Sequence, residues 1–368
     1  MHEVSPVPCL PAGRDPGLGH QENTIRWWRT LYSVEHSFDV IIIGAGPAGL
    51  MCAQTLKNSC LSVLLMEKRE TIGPKPCGGG LTNLDAAFSI PAHLTKEFTE
   101  QEIRVGKKIY TIRLRHPLRM ISRFDLGQYL LHALKEAKNI TVQTDSLVTE
   151  IHDEWILTHR GERIYYSNLV GADGSHSVVR RHLGLKSKIC LGIYYDVPQV
   201  TDTCIWYVHP PALGTGYIWV FPHRDCTNIG VYFDPDYLSH SQAEKALHSF
   251  LNENGYAYEG EEMKGCPIAH HYQGCTFDRT FLTGDAAGLA SKLTGEGIAF
   301  ALTSGQEVGR KILNQSYDMH QLDAVLKIKR RQERALSILN AVPSLRTLLF
   351  HLAALLLKAK KFQSFIGN

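Results

Sequence analysis

At 368 residues, with 44% apolar and 20% charged residues, the chain has the length of one large domain or two intimate ones and the composition of an ordinary globular protein. Its formal net charge of +3 is too small to argue for nucleic acid as a partner, and neither a zinc-ligand spacing nor a helix-turn-helix pattern is present, so no metal is expected. Nine cysteines, an odd number with no CxxC pair, read as reduced thiols of the cell interior, and no run reaches the roughly 18–20 apolar residues that span a bilayer.

The first 36 residues set Pro6, Pro8, Pro11 and Pro16 among Gly13, Gly17 and Gly19, which works against regular structure. With no basic start followed by an apolar run, the segment is not a secretory signal. It reads as a disordered extension or the product of a misplaced start codon; its Trp27–Trp28 pair either docks on the fold or stays in solvent. Folding is expected to begin at Asp39-Val40-Ile41-Ile42-Ile43, the pattern of a parallel strand covered on both faces. That strand runs into Gly44-Ala45-Gly46-Pro47-Ala48-Gly49, then the apolar start of a helix, then a second buried strand from Ser62 to Met66 that ends at Glu67. The order is that of a βαβ dinucleotide unit. Gly44 makes the tight turn, Gly46 admits a pyrophosphate, and Gly49 lets helix and strand pack closely. Pro47 and Ala48 open the helix, whose N-terminal N–H groups favour the anion. Glu67, 18 residues after Gly49, would bond the ribose hydroxyls of an adenosine, with Lys68 beside it. The alternative is a tight strand-to-helix turn with no ligand.

Eight residues past Glu67 begins Lys75-Pro76-Cys77-Gly78-Gly79-Gly80. By itself this is a flexible turn carrying a thiol. After a dinucleotide unit, Gly78 and Gly79 let a cofactor or substrate approach the backbone, and Cys77 can face whatever the cofactor reduces. Further along, Leu169–Gly174 forms another apolar strand ending in a glycine–Asp turn at Asp173. In Gly216-Tyr217-Ile218-Trp219-Val220-Phe221-Pro222, alternation puts Tyr217, Trp219 and Phe221 on one face of a strand, as a substrate wall or as an ordinary buried aromatic face. A further strand, from Thr280, ends in the third cofactor motif, Gly284-Asp285-Ala286-Ala287-Gly288. Carboxylates at such strand ends can accept hydrogen bonds from a ribityl chain, and the helix that follows would aim its positive end at the cofactor. Gly295 and Gly297 flank Glu296, with Ile298 next, where a flat ring could lie against backbone.

These three motifs, in this order over roughly residues 38–320, resemble the FAD-dependent oxidoreductases of the glutathione-reductase-like superfamily that includes aromatic hydroxylases. The resemblance implies that the first motif holds ADP, that the turn at Asp173 braces the cofactor beside its pyrophosphate, and that the Gly284–Gly288 motif contacts the ribityl. It also matches Arg123, in Ser122-Arg123-Phe124-Asp125-Leu126, to an Arg that opens a helix near the flavin; a solvated charge is the plainer reading. Val148 would set backbone against the adenine. Within the superfamily, Lys75–Gly80 and the Tyr217–Pro222 strand resemble the geranylgeranyl reductase family, and most closely its short bacterial members.

The expected fold is α/β: a Rossmann-like FAD-binding domain with a parallel sheet from residues 37–102, 123–186 and 276–320, an antiparallel-sheet substrate domain from 103–122 and 187–275, and a basic helical C-terminal region over 321–368. In the last, Leu345, Leu348, Leu349, Leu352, Leu355 and Leu356 follow helical spacing, with Lys358, Lys360 and Lys361 after them. Such a helix either packs on the protein or lies in a membrane interface, giving a cytoplasmic protein with peripheral contact to the inner membrane surface. The family resemblance implies a reductase that saturates carbon–carbon double bonds of a prenyl or similar apolar substrate, with NADPH or NADH as a transient electron donor and Cys77 as the candidate catalytic residue. A flavin monooxygenase and a non-catalytic flavoprotein remain alternatives.

Overall fold

The structure, a computed structural model, describes residues 36–82 and 88–366. Apart from His36, the expected N-terminal extension lies outside them. β1 (His36–Ile43) and β2 (Val63–Met66) flank a helix over Pro47–Leu56. The two strands pair in parallel from Val40 opposite Val63 to Ile43 opposite Met66. Their apolar residues are buried on both faces, as the unbroken β-branched run predicts. A two-residue strand, β3 (Gly80–Leu81), then joins a second sheet, where β4 (Lys96–Val105) and β5 (Lys108–Met120) form a long antiparallel hairpin.

The Arg123–His132 helix returns the chain to the first sheet, which continues through β6 (Ile140–Gln143), β7 (Val148–Ile151), β8 (Trp155–Thr158) and β9 (Arg163–Gly171). β10 (Ile189–Val197), β11 (Ile205–Val208), β12 (Tyr217–Pro222), β13 (Thr227–Phe233) and β14 (Lys264–Ala269) complete the second sheet. β15 (Thr276–Phe277) and β16 (Thr280–Leu282) close the first. The strand order is β15-β16-β9-β1-β2-β6 in the first sheet and β14-β10-β13-β12-β11-β4-β5-β3 in the second. The expected α/β architecture is therefore present. The second sheet is antiparallel except where β11 pairs in parallel with β4.

The second sheet takes up chain earlier than residue 103. Lys96 already pairs with Met120, and Gly80 and Leu81 pair with Met120 and Arg119. The polar run Lys96–Glu102 hides this strand: one face of it is solvated, and a bulge between Phe98 and Glu100 interrupts the alternation.

Two helices meet behind the first sheet. A Cβ on Gly305, in the helix Ile298–Leu313, would stand 2.1 Å from the Ala48 carbonyl oxygen, and one on Gly309 would stand 2.6 Å from Thr55 Cβ. The missing side chains let the helices touch backbone to backbone, which brings both N-termini to the same side of the sheet. The C-terminal helices His320–Ala341 and Arg346–Leu357 follow. The second is tied to the hairpin by Tyr110 Oη to His351 Nδ1 at 2.8 Å, and the turn after it by Gln363, which donates to the Arg113 carbonyl at 2.8 Å.

Candidate active site

β1 delivers Gly44 into the turn with φ +102°, and a Cβ there would lie 2.4 Å from the Ala172 carbonyl oxygen. Only glycine fits such a position. A Cβ on Gly49 would lie 1.9 Å from the Gly44 carbonyl oxygen, so this glycine serves packing and does not line the cavity. Gly46 behaves differently. It is the N-cap of the Pro47–Leu56 helix, with extended backbone and no capping side chain, and a Cβ there would meet nothing within 4 Å. The open space is the cavity itself, about 470 Å3, which Gly44, Gly46, Pro47 and Ala48 border. Helix N–H groups with no partner in the helix facing a void form an anion cradle.

Glu67, at the end of β2, accepts the Ala45 backbone N–H at 3.0 Å and the Arg69 N–H at 3.2 Å. Both bonds hold its carboxylate on the cavity rim, leaving further lone pairs for a ribose. Lys68 and Val148 border the same end, where Ser146 Oγ is buried without a partner. Asp173 accepts the Val178 N–H through Oδ2 at 2.6 Å, while its Oδ1 is buried with no partner. Burial pushes this carboxyl above its ordinary pKa, against hydrogen bonds from Ser177 and Val178 that lower it. Arg123 begins its helix at the cavity edge with Nε buried and unpartnered. An orphaned acceptor, an orphaned guanidinium N–H and an anion cradle around one cavity fit an extended dinucleotide carrying a flat ring.

The third motif needs two corrections. The helix does not follow Asp285 directly. A short 3-10 turn, Gly284–Ala287, comes first, and the long helix starts at Ile298 after Gly297, so it is this later N-terminus that reaches the cavity. Gly288 lies outside the cavity lining. At φ +72° a Cβ there would meet the His271 carbonyl oxygen at 2.4 Å and the Arg180 guanidinium at 3.0 Å, so packing dictates this glycine. Asp285 does line the cavity; it receives Lys75 Nζ and Ser175 Oγ, each at 3.2 Å, and so joins three sequence-distant turns.

The glycine turn and the aromatic strand meet. A Cβ on Gly78 would lie 3.1 Å from the Phe221 ring and 3.3 Å from Trp219 Nε1. Gly79, at φ +75°, sits against the Ile121 carbonyl, whose residue's N–H donates back to the Gly79 carbonyl at 3.0 Å. The Cys77 N–H donates to Tyr194 Oη at 3.3 Å, and its thiol is half-buried on the cavity wall. Tyr217, Trp219 and Phe221 share one face of β12, and all three border the cavity beside Cys77. Trp206 stacks on Tyr217 with centroids 5.5 Å apart, and its indole N–H is buried without a partner. Tyr194, Trp206 and Tyr232, which the sequence places in the sheet over the cofactor without marking them as site residues, extend the wall.

Glu296 was also missed as a site residue. It borders the cavity between Gly295 and Gly297, and accepts from Thr82 Oγ1 at 2.6 Å. Burial pushes its carboxyl up to about 7, while the Thr82 hydroxyl pulls the other way. A carboxylate set between two cavity-facing glycines is the signal that could have found it.

Comparison with known proteins agrees with this geometry. Residues 42–75 match the NAD(P)-binding Rossmann-like domain family. The chain is 30% identical to an uncharacterized protein of Methanosarcina barkeri over 73% of its own length and 72% of the relative's. It is 27% identical to the digeranylgeranylglycerophospholipid reductase of Methanococcus vannielii, covering 77% of this chain and 80% of that one. Among solved structures, a geranylgeranyl bacteriochlorophyll reductase-like protein from Thermoplasma acidophilum superposes with a TM-score of 0.73 at 22% identity, covering 88% and 92%. The fold is also that of p-nitrophenol 4-monooxygenase from Pseudomonas putida, with a TM-score of 0.69 at 13% identity over 90% and 98%.

Proposed function

Because the chain belongs to the geranylgeranyl reductase family of FAD-dependent oxidoreductases, we propose that it saturates carbon–carbon double bonds of a prenyl lipid or similar apolar substrate, with FAD as cofactor and NADPH or NADH as donor. The observation that carries this is the contact between the Cys77–Gly79 turn and the aromatic wall of Tyr217, Trp219 and Phe221. An apolar wall beside a backbone that lets a ring approach is what an alkene substrate needs. Bound and reduced, FAD would supply the hydride. Gly44, Gly46 and the Pro47–Leu56 N-terminus would hold its pyrophosphate, Glu67 its ribose, and Arg123, Asp173 and Asp285 the rest. The aromatic face would exclude water and orient the alkene, and Cys77 would stand against the reacting carbons. The described residues hold one βαβ dinucleotide unit, so the nicotinamide is taken to bind transiently.

The Arg346–Leu357 helix turns apolar residues outward. Leu345, Leu348, Leu352, Leu355 and Leu356 are each 47–55% exposed, and Lys358, Lys360 and Lys361 follow. No single described helix is long and apolar enough to cross a membrane. This face would rest on the anionic inner surface of the membrane, from which a lipid substrate could enter. Lipid mass spectrometry of cells lacking and overproducing the protein tests the reading. A prenyl species shifted by two hydrogens is expected; identical lipid profiles would refute it.

A further inference from the structure

Reducing an alkene consumes a hydride and a proton, delivered to adjacent carbons, and the second has had no clear source. Cys77 is one candidate. On the same chamber stands Glu296, carried between Gly295 and Gly297 at the approach to the Ile298–Leu313 helix. The Gly295 backbone runs against the Tyr232 ring, where a Cβ would come within 3.1 Å, so the loop is seated on the aromatic wall. The Thr82 hydroxyl, two residues beyond Gly80, bonds one carboxyl oxygen at 2.6 Å and fixes its orientation. The carboxyl thus lies between the glycine turn and the wall that the substrate would face. We infer that Glu296 is the acid that protonates the alkene, with Thr82 as its positioning residue; this deepens, and rests on, the prenyl reductase reading.

In the step, the alkene π pair forms one new C–H bond with the Glu296 proton, and hydride supplies the electron pair for the other. Glu296 is left as the carboxylate, to be reprotonated from solvent, while FAD, when bound, would supply the hydride at the expense of the nicotinamide donor. Electrons and atoms balance with no further reactant. The charge environment suits storage of a proton at neutral pH. Burial raises the carboxyl to about 7 and the Thr82 bond only partly opposes it. Of the cations that line the chamber, Lys75 is paired with Asp285 at 3.2 Å, and Lys68, Arg69 and Arg123 border the same cavity. Tyr217 faces Glu296 from β12, with burial as the main cause of its raised pKa and the Glu296 charge a lesser one; Tyr232 from β13, Cys77 from the turn and Asp285 complete the titratable surroundings.

The test uses full-length, FAD-loaded wild type, Glu296→Gln, Thr82→Val and Cys77→Ser. Infrared spectroscopy in the absence of substrate follows the protonated carboxyl with pH. Anaerobic reoxidation of the chemically reduced flavin by a geranylgeranyl ether lipid is then followed across the same range. Wild type should show a carboxyl titrating near 7 that disappears in Glu296→Gln, and its rate should fall as pH rises through the same midpoint. Glu296→Gln should slow reoxidation by about 10²-fold and lose that alkaline limb. Thr82→Val, deprived of the bond that lowers the pKa, should move both the band and the limb to higher pH, whereas Cys77→Ser should keep the midpoint. A Glu296→Gln rate within threefold of wild type, or an infrared titration that survives the substitution, overturns the assignment. Wild type that leaves every prenyl lipid unreduced while the infrared titration still vanishes in Glu296→Gln overturns the functional reading instead.

Discussion

Replacing Gly46 by Val separates cofactor binding from folding. The residue has φ −75°, an ordinary value for a side chain, and a Cβ there meets no atom within 4 Å. The cost to the apoprotein is therefore limited to a poorer N-cap, about 1 kcal/mol at most. The space the side chain enters is the one proposed for the pyrophosphate. Losing two backbone N–H bonds to a charged acceptor, at about 1.5 kcal/mol each, would weaken FAD binding by about 3 kcal/mol, on the order of 10²-fold in Kd. Gly49→Ala is the contrasting case. Its Cβ would stand 1.9 Å from the Gly44 carbonyl oxygen, an overlap with backbone that itself cannot move without leaving φ +102°. That substitution should destabilise the apoprotein by about 3 kcal/mol or more. Thermal unfolding of both apoproteins, with FAD titration by fluorescence quenching, checks the pair. The reasoning is refuted if Gly46→Val binds FAD within threefold of wild type, or loses as much apoprotein stability as Gly49→Ala.

Cys77→Ala should impair substrate reduction by at least tenfold while FAD stays bound, because the thiol borders the chamber and accepts the Gly79 N–H at 3.5 Å, away from the Gly44–Gly46 cradle; unchanged turnover would remove it from the mechanism. Glu307 is wholly buried and accepts from Tyr317 Oη at 2.8 Å, Gln321 N–H at 3.0 Å and Arg310 at 3.0 Å, joining the Ile298–Leu313 helix to the next one. Glu307→Ala strands these donors and should cost about 3 kcal/mol in denaturant unfolding with FAD affinity unchanged, and a cost below 1 kcal/mol would be inconsistent with this. The outward leucines should carry the protein down with anionic vesicles at low salt, and a Leu348→Glu, Leu352→Glu, Leu355→Glu triple variant should stay in the supernatant; a wild type that also stays in the supernatant would remove the membrane face.

Much of the cofactor cradle was legible because its physics is local. A β-branched run, glycines at fixed spacing and a terminal Glu67 each follow from what backbone and anion require, and Gly44, Gly46 and Glu67 all border the cavity. Gly49 packs as its motif requires, against the Gly44 carbonyl, whereas Gly288 matched its motif yet serves packing, which depends on His271 and Arg180 from distant segments coming near. The second sheet was legible where aromatic residues alternate, at Tyr217–Phe221, and hidden at Lys96–Glu102, where a solvated face and a bulge mask the strand. Glu296 stayed unread as a functional group because its significance lies in burial and in the Thr82 hydroxyl, 214 positions away in the chain.

The central claim is reduction of an alkene, and oxygen dependence tests it most directly, since the shared fold also serves monooxygenases. The FAD-loaded protein, reduced and mixed with a geranylgeranyl lipid under strict anaerobiosis, should reoxidise its flavin and return a product heavier by two hydrogens. Flavin that stays reduced until oxygen is admitted, with a product that has gained an oxygen atom, would contradict the account.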